Sequence, residues 1–361
     1  MSSVLHLRGP VLVGPDEVVP EAWVVDGRIT FTRPAGDAVR VDGWVVPGLV
    51  DAHCHVGLDA HGAVDEAISE QQALTDRDAG ALLLRDAGSP ADTRWVDDRD
   101  DLPVLIRAGR HIARPKRYIR NFGAEVEPDE LVDEVRRQAA RGDGWVKLVG
   151  DWIDRDTGDL APCWPASALQ PAMDAAHEAG ARVTAHCFSG SSLTDLVEAG
   201  IDCIEHATGL DSSTLPLLAS RGVAIVPTLI NIETFPGIAA QAEEKFPTYA
   251  RHMRDLHARR YDTVAAAHEA GIPIFAGTDA GGALAHGRVA DEVLELATAG
   301  LPAAAALDAA CWGARSWLGR DGLVDGASAD LLVLDGDPRE DLRVLLGPRS
   351  VVLRGVLRSW S

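Results

Sequence analysis

Positive charge is scarce in this 361-residue chain: 34 Lys and Arg stand against 55 Asp and Glu, a net charge of −21. A surface of that sign repels phosphate backbones, which argues against general nucleic-acid binding and for a heavily solvated acidic exterior. Long apolar runs are also missing. No window approaches ~18 consecutive apolar residues, so no membrane span is expected. The opening MSSVLHLRGP has neither a basic n-region nor an apolar h-region, so no secretory signal is expected. Cysteine is sparse: Cys54, Cys163, Cys187, Cys203 and Cys311 are scattered and form no CxxC. Reduced thiols in a cytoplasmic protein are the simplest reading. No GxGxxG opens a helix, which removes the main support for a dinucleotide fold. Lysine itself is rare, with only Lys116, Lys147 and Lys245 in the whole chain.

What is present is a repeated phrase. Helix-patterned stretches end in small residues and glycine, and a short apolar run follows. Gly80 precedes ALLLRDAG, Gly142 comes shortly before WVKLVGD, and Gly180 precedes ARVTAHC. Gly200 precedes IDCIEHA, Gly222 precedes VAIVPTLI, and Gly271 precedes IPIFAGTDAGG. The letters AAHEAG occur twice, at 175–180 and 266–271. Glycine past a helix end takes positive φ without a Cβ clash. Apolar runs of about four to eight residues after such stops read as strands buried on both faces.

With VVPGLVDAHCH at the start and LPVLIRAGRH after the second strand, the pattern predicts eight strands. Helical stretches such as PDELVDEVRRQAARG separate them. Alternation of this kind over roughly 250 residues predicts an α/β fold, a (β/α)8 TIM barrel. The barrel is expected over 47–320. Residues 1–46 and 321–361 instead show short strands punctuated by Gly, Asp and Pro, and are expected to form one small β-sandwich domain from both termini. The stretch 235–270, with Pro236 and Pro247 inside it, is either a cover for the barrel mouth or a helical excursion.

Chemistry in such barrels gathers at the C-terminal ends of the strands. Strand one ends at His53 and His55, strand four carries Lys147, strand five His186, strand six His206 and strand eight Asp279. His53 and His55 share one face, because side chains i and i+2 of a strand point the same way. Each of the six lies in or just after an apolar run, where an unpaired charge or imidazole is costly. A shared metal centre would satisfy all six. Lys147 is the most informative, in a chain that otherwise uses Arg. A buried lysine loses its proton readily and can then take up carbon dioxide as a carbamate whose two oxygens bridge two ions. Arginine stays protonated and cannot.

These residues resemble the amidohydrolase superfamily of metal-dependent hydrolases, within it the imidazolonepropionase-like branch that includes carboxylated-lysine dipeptidases. The matching pieces are PGLVDAHCH, LLRDAG, WVKLV, VTAHC, AGIDCIEHA, VPT, GTDAGG, AHGRVADEVLELATAGL and GASADLLVLDGDP, in family order over almost the whole chain. The resemblance implies that His53, His55 and Asp279 hold one divalent ion and that His186 and His206 hold a second. Carboxylated Lys147 would bridge them, and Zn2+ is the usual occupant. Two places depart from the branch: Leu-Val-Gly-Asp-Trp after the lysine, and Cys-Phe-Ser-Gly after His186. Both fall where substrate would lie.

The function expected is hydrolysis of an amide C–N bond by a bridging hydroxide, with Asp279 as general acid and base. The substrate is expected to be a small molecule such as a dipeptide, an N-acyl amino acid or a cyclic amide. His286 is a candidate substrate contact. Between Leu102 and Ala124 there is no acid, while Arg107, Arg110, Arg114, Lys116, Arg117 and Arg120 are basic. Arg114 and Arg120 are therefore candidates for binding a substrate carboxylate. His61 and His111, which follow strands one and three, are placed to line the pocket. Rival readings on the same scaffold are a lactonase or esterase, a mononuclear deaminase, and a non-enzymatic scaffold. A homo-oligomer is compatible with everything above.

Overall fold

Buried β-branched and leucine-rich runs dictate the architecture. The computed structural model describes residues 4–359, so the outermost residues of the expected terminal domain, 1–3 and 360–361, lie outside the described residues. Seven parallel strands appear where the apolar runs predict them. They are Leu49–Cys54, Ala81–Asp86, Val104–Arg107, Trp145–Val149, Arg182–Cys187, Cys203–His206 and Ala224–Val226. Nearly every residue of these strands is buried, as strands covered on both faces must be. Helices such as Glu66–Asp78, Leu131–Arg141, Ala166–Glu178 and Val289–Thr298 run between or after them.

The eighth run departs from regular strand geometry. Residues 272–280 make only isolated parallel bridges, Ile225 with Ile274 and Cys54 with Ala280. Backbone bonds from Ala52 N to Ala276 O (2.8 Å) and from Thr278 N to His53 O (3.0 Å) seat this segment between the first and seventh strands. Gly277 explains the close fit. A Cβ there would lie 2.7 Å from His53 N and Cβ, so only glycine lets the two backbones approach.

Hydrogen bonding groups the parallel strands into a three-stranded and a six-stranded sheet rather than one closed ladder. At one junction the segment after Val104–Arg107 inserts Ile112–Ala113, which pairs with the fourth strand at Leu148. The glycine stops behave as expected with one exception. Gly142 is at φ −84 and the positive φ of 87° falls on Gly144, because a Cβ on Gly142 would press on the carbonyls of Trp145 and Arg107.

Both termini join in one eight-stranded mixed sheet that includes Leu5–Leu12, Val18–Val25, Trp44–Pro47, Leu331–Leu334, Ser350–Leu353 and Val356–Ser359. Leu5–Arg8 pairs with Val39–Asp42 and Val11 with Val45, so the strand parts two neighbours on one side. The bridge from Arg28 to Ser328 then brings the far edge back to the C-terminal segment. The curled sheet surrounds its own core of Leu7, Val24, Ile29, Leu331 and Val352. The pairing thus defines one folded-over sheet where a two-sheet sandwich was expected.

The stretch 235–270 forms helices Phe235–Ala242, Pro247–Ala258 and Arg260–Glu269. The first two bury Phe235, Met253 and Leu256 with Phe188 and with Leu160 of the hairpin formed by Asp151–Asp154 and Asp159–Pro162. No helix among the described residues is long and apolar enough to cross a membrane.

Candidate metal centre

Strand ends bring the imidazoles together. His53 Nε2 lies 3.2 Å from His55 Nε2 and 3.1 Å from Asp279 Oδ1, and His55 Nε2 is 2.9 Å from the same oxygen. The opposite ring nitrogens are already engaged. His53 Nδ1 is 2.7 Å from Glu205 Oε2, and His55 Nδ1 is 2.7 Å from the Gly88 carbonyl. Both partners can only accept, so each Nδ1 donates, and each neutral ring is left with a bare lone pair at Nε2. Two lone pairs and a carboxylate oxygen therefore face one another. Such a cluster needs positive charge at its centre, from a proton or from a metal ion.

A second pair sits beside it. His186 Nδ1 is 3.0 Å from His206 Nε2, and His206 Nδ1 is 2.7 Å from Thr228 Oγ1. His186 Nε2 is buried with no hydrogen-bond partner. Ligand atoms of His53, His206 and Asp279 all lie within 4.8 Å of one another, which links the two pairs. Lys147 is 1% exposed. Its charge disfavours protonation of His53, His55, His186 and His206 alike, and its strand pairs with the one that carries His186.

Burial sets the electrostatics. It pushes His206 down to about 3 and His186 well below the usual imidazole range, and it lowers His55 and Lys147. His53 is the exception. Burial and Lys147 oppose its proton, but Glu205 and Asp279 hold its pKa above the ordinary value. Burial also opposes charge on Asp279, yet His53 and the hydrogen bonds from His53 and His55 keep this carboxyl well below the usual range.

Backbone strain marks the same strand ends. His206, Ala207, Thr228 and Asp279 all have positive φ, between 50° and 67°. Non-glycine residues rarely take this region, and strain of this kind concentrates at functional sites.

Beneath the ligands runs a supporting layer that sequence reasoning missed. Glu205 Oε1 accepts from Arg85 at 2.7 Å, and Thr184 donates to the same carboxylate. Asn231 Nδ2 donates to Asp279 Oδ2 at 2.7 Å. Glu292 accepts from the backbone N–H groups of Leu229 and Ile230, fixing the turn that carries Thr228 and Asn231. Asp151 accepts from the N–H groups of Phe188 and Ser189 just after the fifth strand. Charged residues inside otherwise apolar phrases, the Arg of LLLRDAG and the Glu of CIEH, were the available signals.

His111 joins the cluster. It is fully buried, its ring centroid lies 5.0 Å from that of His55, and neither ring nitrogen has a partner. His61 is exposed instead. The expected substrate contacts have partners elsewhere: His286 Nδ1 is 2.8 Å from Asp76, and Arg114 pairs with Glu127 at 3.0 Å. Arg120 is exposed. The structure therefore brings His53, His55, His186, His206 and Asp279 together, buries Lys147 on the strand beside that of His186, and leaves His286 and Arg114 paired elsewhere and Arg120 exposed.

An uncharacterized protein of Mycobacterium tuberculosis is 60% identical, over 97% of this chain and 95% of that protein. A Xaa-Pro dipeptidase structure with bound methionine superposes with a TM-score of 0.82 at 22% identity, over 99% of this chain and 100% of the other. Aspergillus niger ochratoxinase gives a TM-score of 0.80 at 20% identity, over 99% and 96%. These likenesses establish the fold, the TIM barrel of amidohydrolase-superfamily structures. Residues 44–357 match the profile of the amidohydrolase family, so this chain belongs to that family, as an enzyme that hydrolyses C–N bonds.

Proposed function

We propose that the protein is a metal-dependent hydrolase of small amides, with His53, His55, His186, His206 and Asp279 holding two divalent ions. The observation that carries this reading is the convergence of His53 Nε2, His55 Nε2 and Asp279 Oδ1, acceptors facing acceptors once Glu205 and Gly88 O have taken the other ring nitrogens. His186 Nδ1 and His206 Nε2, 3.0 Å apart, add a second pair of ring nitrogens directed at one another. Nitrogen and carboxylate donors in this proportion suit zinc. Divalent ions bound here supply polarisation of the substrate carbonyl and acidification of water.

The side chains divide the remaining work. Glu205 and the Gly88 carbonyl orient His53 and His55, and Thr228 orients His206. Lys147, whose pKa burial lowers, takes up carbon dioxide through its free amine: the N–C bond forms, one proton leaves, and the product is an anion with two oxygens. Asp279 is the general base and acid. Its side chain is 21% exposed, with Oδ1 facing the imidazoles and Oδ2 accepting from Asn231. It takes a proton from the attacking water and returns it to the leaving nitrogen.

The segments 1–46 and 321–361 are read as one domain clasping the barrel at 47–320. Five unpaired, buried cysteines support a cytoplasmic setting. A carboxylate-bearing substrate is a second reading, favoured by the exposure of Arg120 within the basic run. Unchanged KM for acidic substrates in Arg114→Ala and Arg120→Ala would dispose of it.

The test is a hydrolysis screen of the zinc-loaded protein against dipeptides, N-acyl amino acids, cyclic amides and lactones. Amide turnover that chelation abolishes and zinc restores is the expected result. Turnover of lactones alone, or ammonia release in place of amide cleavage, overturns the amidase reading in favour of a lactonase or deaminase.

A further inference from the structure

The segment 108–126 and the hairpin 151–162 form an aromatic wall beside the imidazoles. The Tyr118 ring centroid is 5.2 Å from His111, 5.8 Å from His186 and 4.9 Å from Trp152. Trp152 is 5.4 Å from His186, and Phe188 is 4.3 Å from the same ring. Phe122, 6.2 Å from Tyr118, faces the turn after Asp279, where a Cβ on Gly282 would touch it at 3.8 Å. Phe122 and Phe188 are buried, but Tyr118 and Trp152 remain partly exposed. Partly exposed aromatic rings beside a buried polar cluster are the kind of lining a ligand subsite uses.

The basic run has a structural task here. Arg117, next to Tyr118, donates to Asp154 and to the carbonyls of Trp152 and Ala161, which staples the segment to the hairpin. Arg110 holds the carbonyls of Phe122 and Asn121, Arg114 pairs with Glu127, and Arg107 pairs with Asp97 and Asp143. Four of the six cations are thus engaged in fixing the wall. What this wall offers a substrate is ring surface held in place, with little free charge.

We propose that Tyr118 and Trp152, packed edge-to-face, are specificity-determining residues whose joint aromatic surface selects substrates with a flat aromatic group next to the scissile C–N bond. This aromatic surface deepens the hydrolase reading and rests on it for the identity of the bond cleaved. Transfer of a phenyl group from water into such a subsite is worth about 1.5–3 kcal/mol, which corresponds to a preference of about tenfold or more over a methyl-sized group.

The test uses methyl ketones, which present a carbonyl but contain no C–N bond to break: 4-phenylbutan-2-one, pentan-2-one and the acidic 4-oxopentanoate. Their affinities are measured on the purified protein by titration calorimetry or ligand-observed NMR. The phenyl ketone is expected to bind about tenfold tighter than pentan-2-one. Trp152→Ala and Tyr118→Leu are each expected to shrink that ratio to about threefold or less, while Trp152→Phe retains it, with folding checked by circular dichroism. Equal affinity for the two neutral ketones overturns the proposal. So does a preference that survives both disruptive variants, or tightest binding of 4-oxopentanoate. Aromatic preference in binding without amide turnover in the hydrolysis screen leaves the aromatic subsite standing and removes the hydrolase reading, so the two failures are distinguishable.

Discussion

The two ends of the parallel strands are both rich in buried polar groups, yet those groups are arranged on opposite principles. At the N-terminal side Arg85 lies 4.6 Å from the Trp145 ring and 5.0 Å from the Trp317 ring, and Arg182 stacks on Trp145 at 4.1 Å. Charge there is matched: Arg85 meets Glu205 and the Ala52 carbonyl, and Arg182 donates to the Trp317 carbonyl. At the C-terminal side acceptors face acceptors, His186 Nε2 and both nitrogens of His111 have no partner, and four backbone positions are strained. Buried charge is largely matched at one end, where Arg85 Nη1 still lacks a partner, whereas at the other end like groups face one another. Glu205 joins the two ends, with one oxygen on Arg85 and the other on His53.

That contrast predicts which substitutions damage function and which damage stability. Asp279→Asn is expected to lower kcat by at least about 10²-fold, the usual contribution of a general acid–base group, without loss of the folded state. Steady-state kinetics and thermal melts on the same preparation check both halves. Arg85→Met works the other way. It strips the buried Glu205 of its arginine, leaving only His53 and Thr184 on the carboxylate, and is expected to destabilise the fold by about 3–5 kcal/mol in denaturant titration. A mild effect would mean that the matched end is not a stability element. Thr228→Val removes the hydroxyl that holds His206 Nδ1 and is expected to weaken metal affinity about tenfold while barely moving the melting temperature.

The smallest effect concerns pH. Burial pushes Glu292 up to about 8, against an ordinary 4.5. The folded state therefore binds more protons than the unfolded chain between these values, so this group's contribution to stability falls as pH rises through that window. Glu292→Gln is expected to flatten the decline of melting temperature between pH 5 and 8 relative to wild type. An identical pH profile in both proteins would show that Glu292 does not titrate there.

The convergence of His53, His55, His186, His206 and Asp279 was legible in the sequence because strand periodicity and the glycine stops locate strand ends, and His or Asp at a strand end has few other ways to be satisfied. Lys147 stood out through the chain's preference for Arg. The supporting layer was harder to read, since each partnership spans long sequence distances: Arg85 with Glu205, Thr228 with His206, Glu292 with the turn at Leu229. Apolar periodicity carries no information about such pairs. The basic run misled for the same reason. It contains no acid of its own, and its partners Asp97, Glu127, Asp143 and Asp154 come from other segments. The irregular eighth segment was hidden because Gly277 reads as a turn residue until the nearness of His53 is seen.

The most direct test of the account is the metal content of the purified, zinc-loaded protein by inductively coupled plasma mass spectrometry. Close to two divalent ions per chain is the result expected. Absence of bound metal after loading would contradict it, because the facing acceptors would then have to be reconciled by protonation alone.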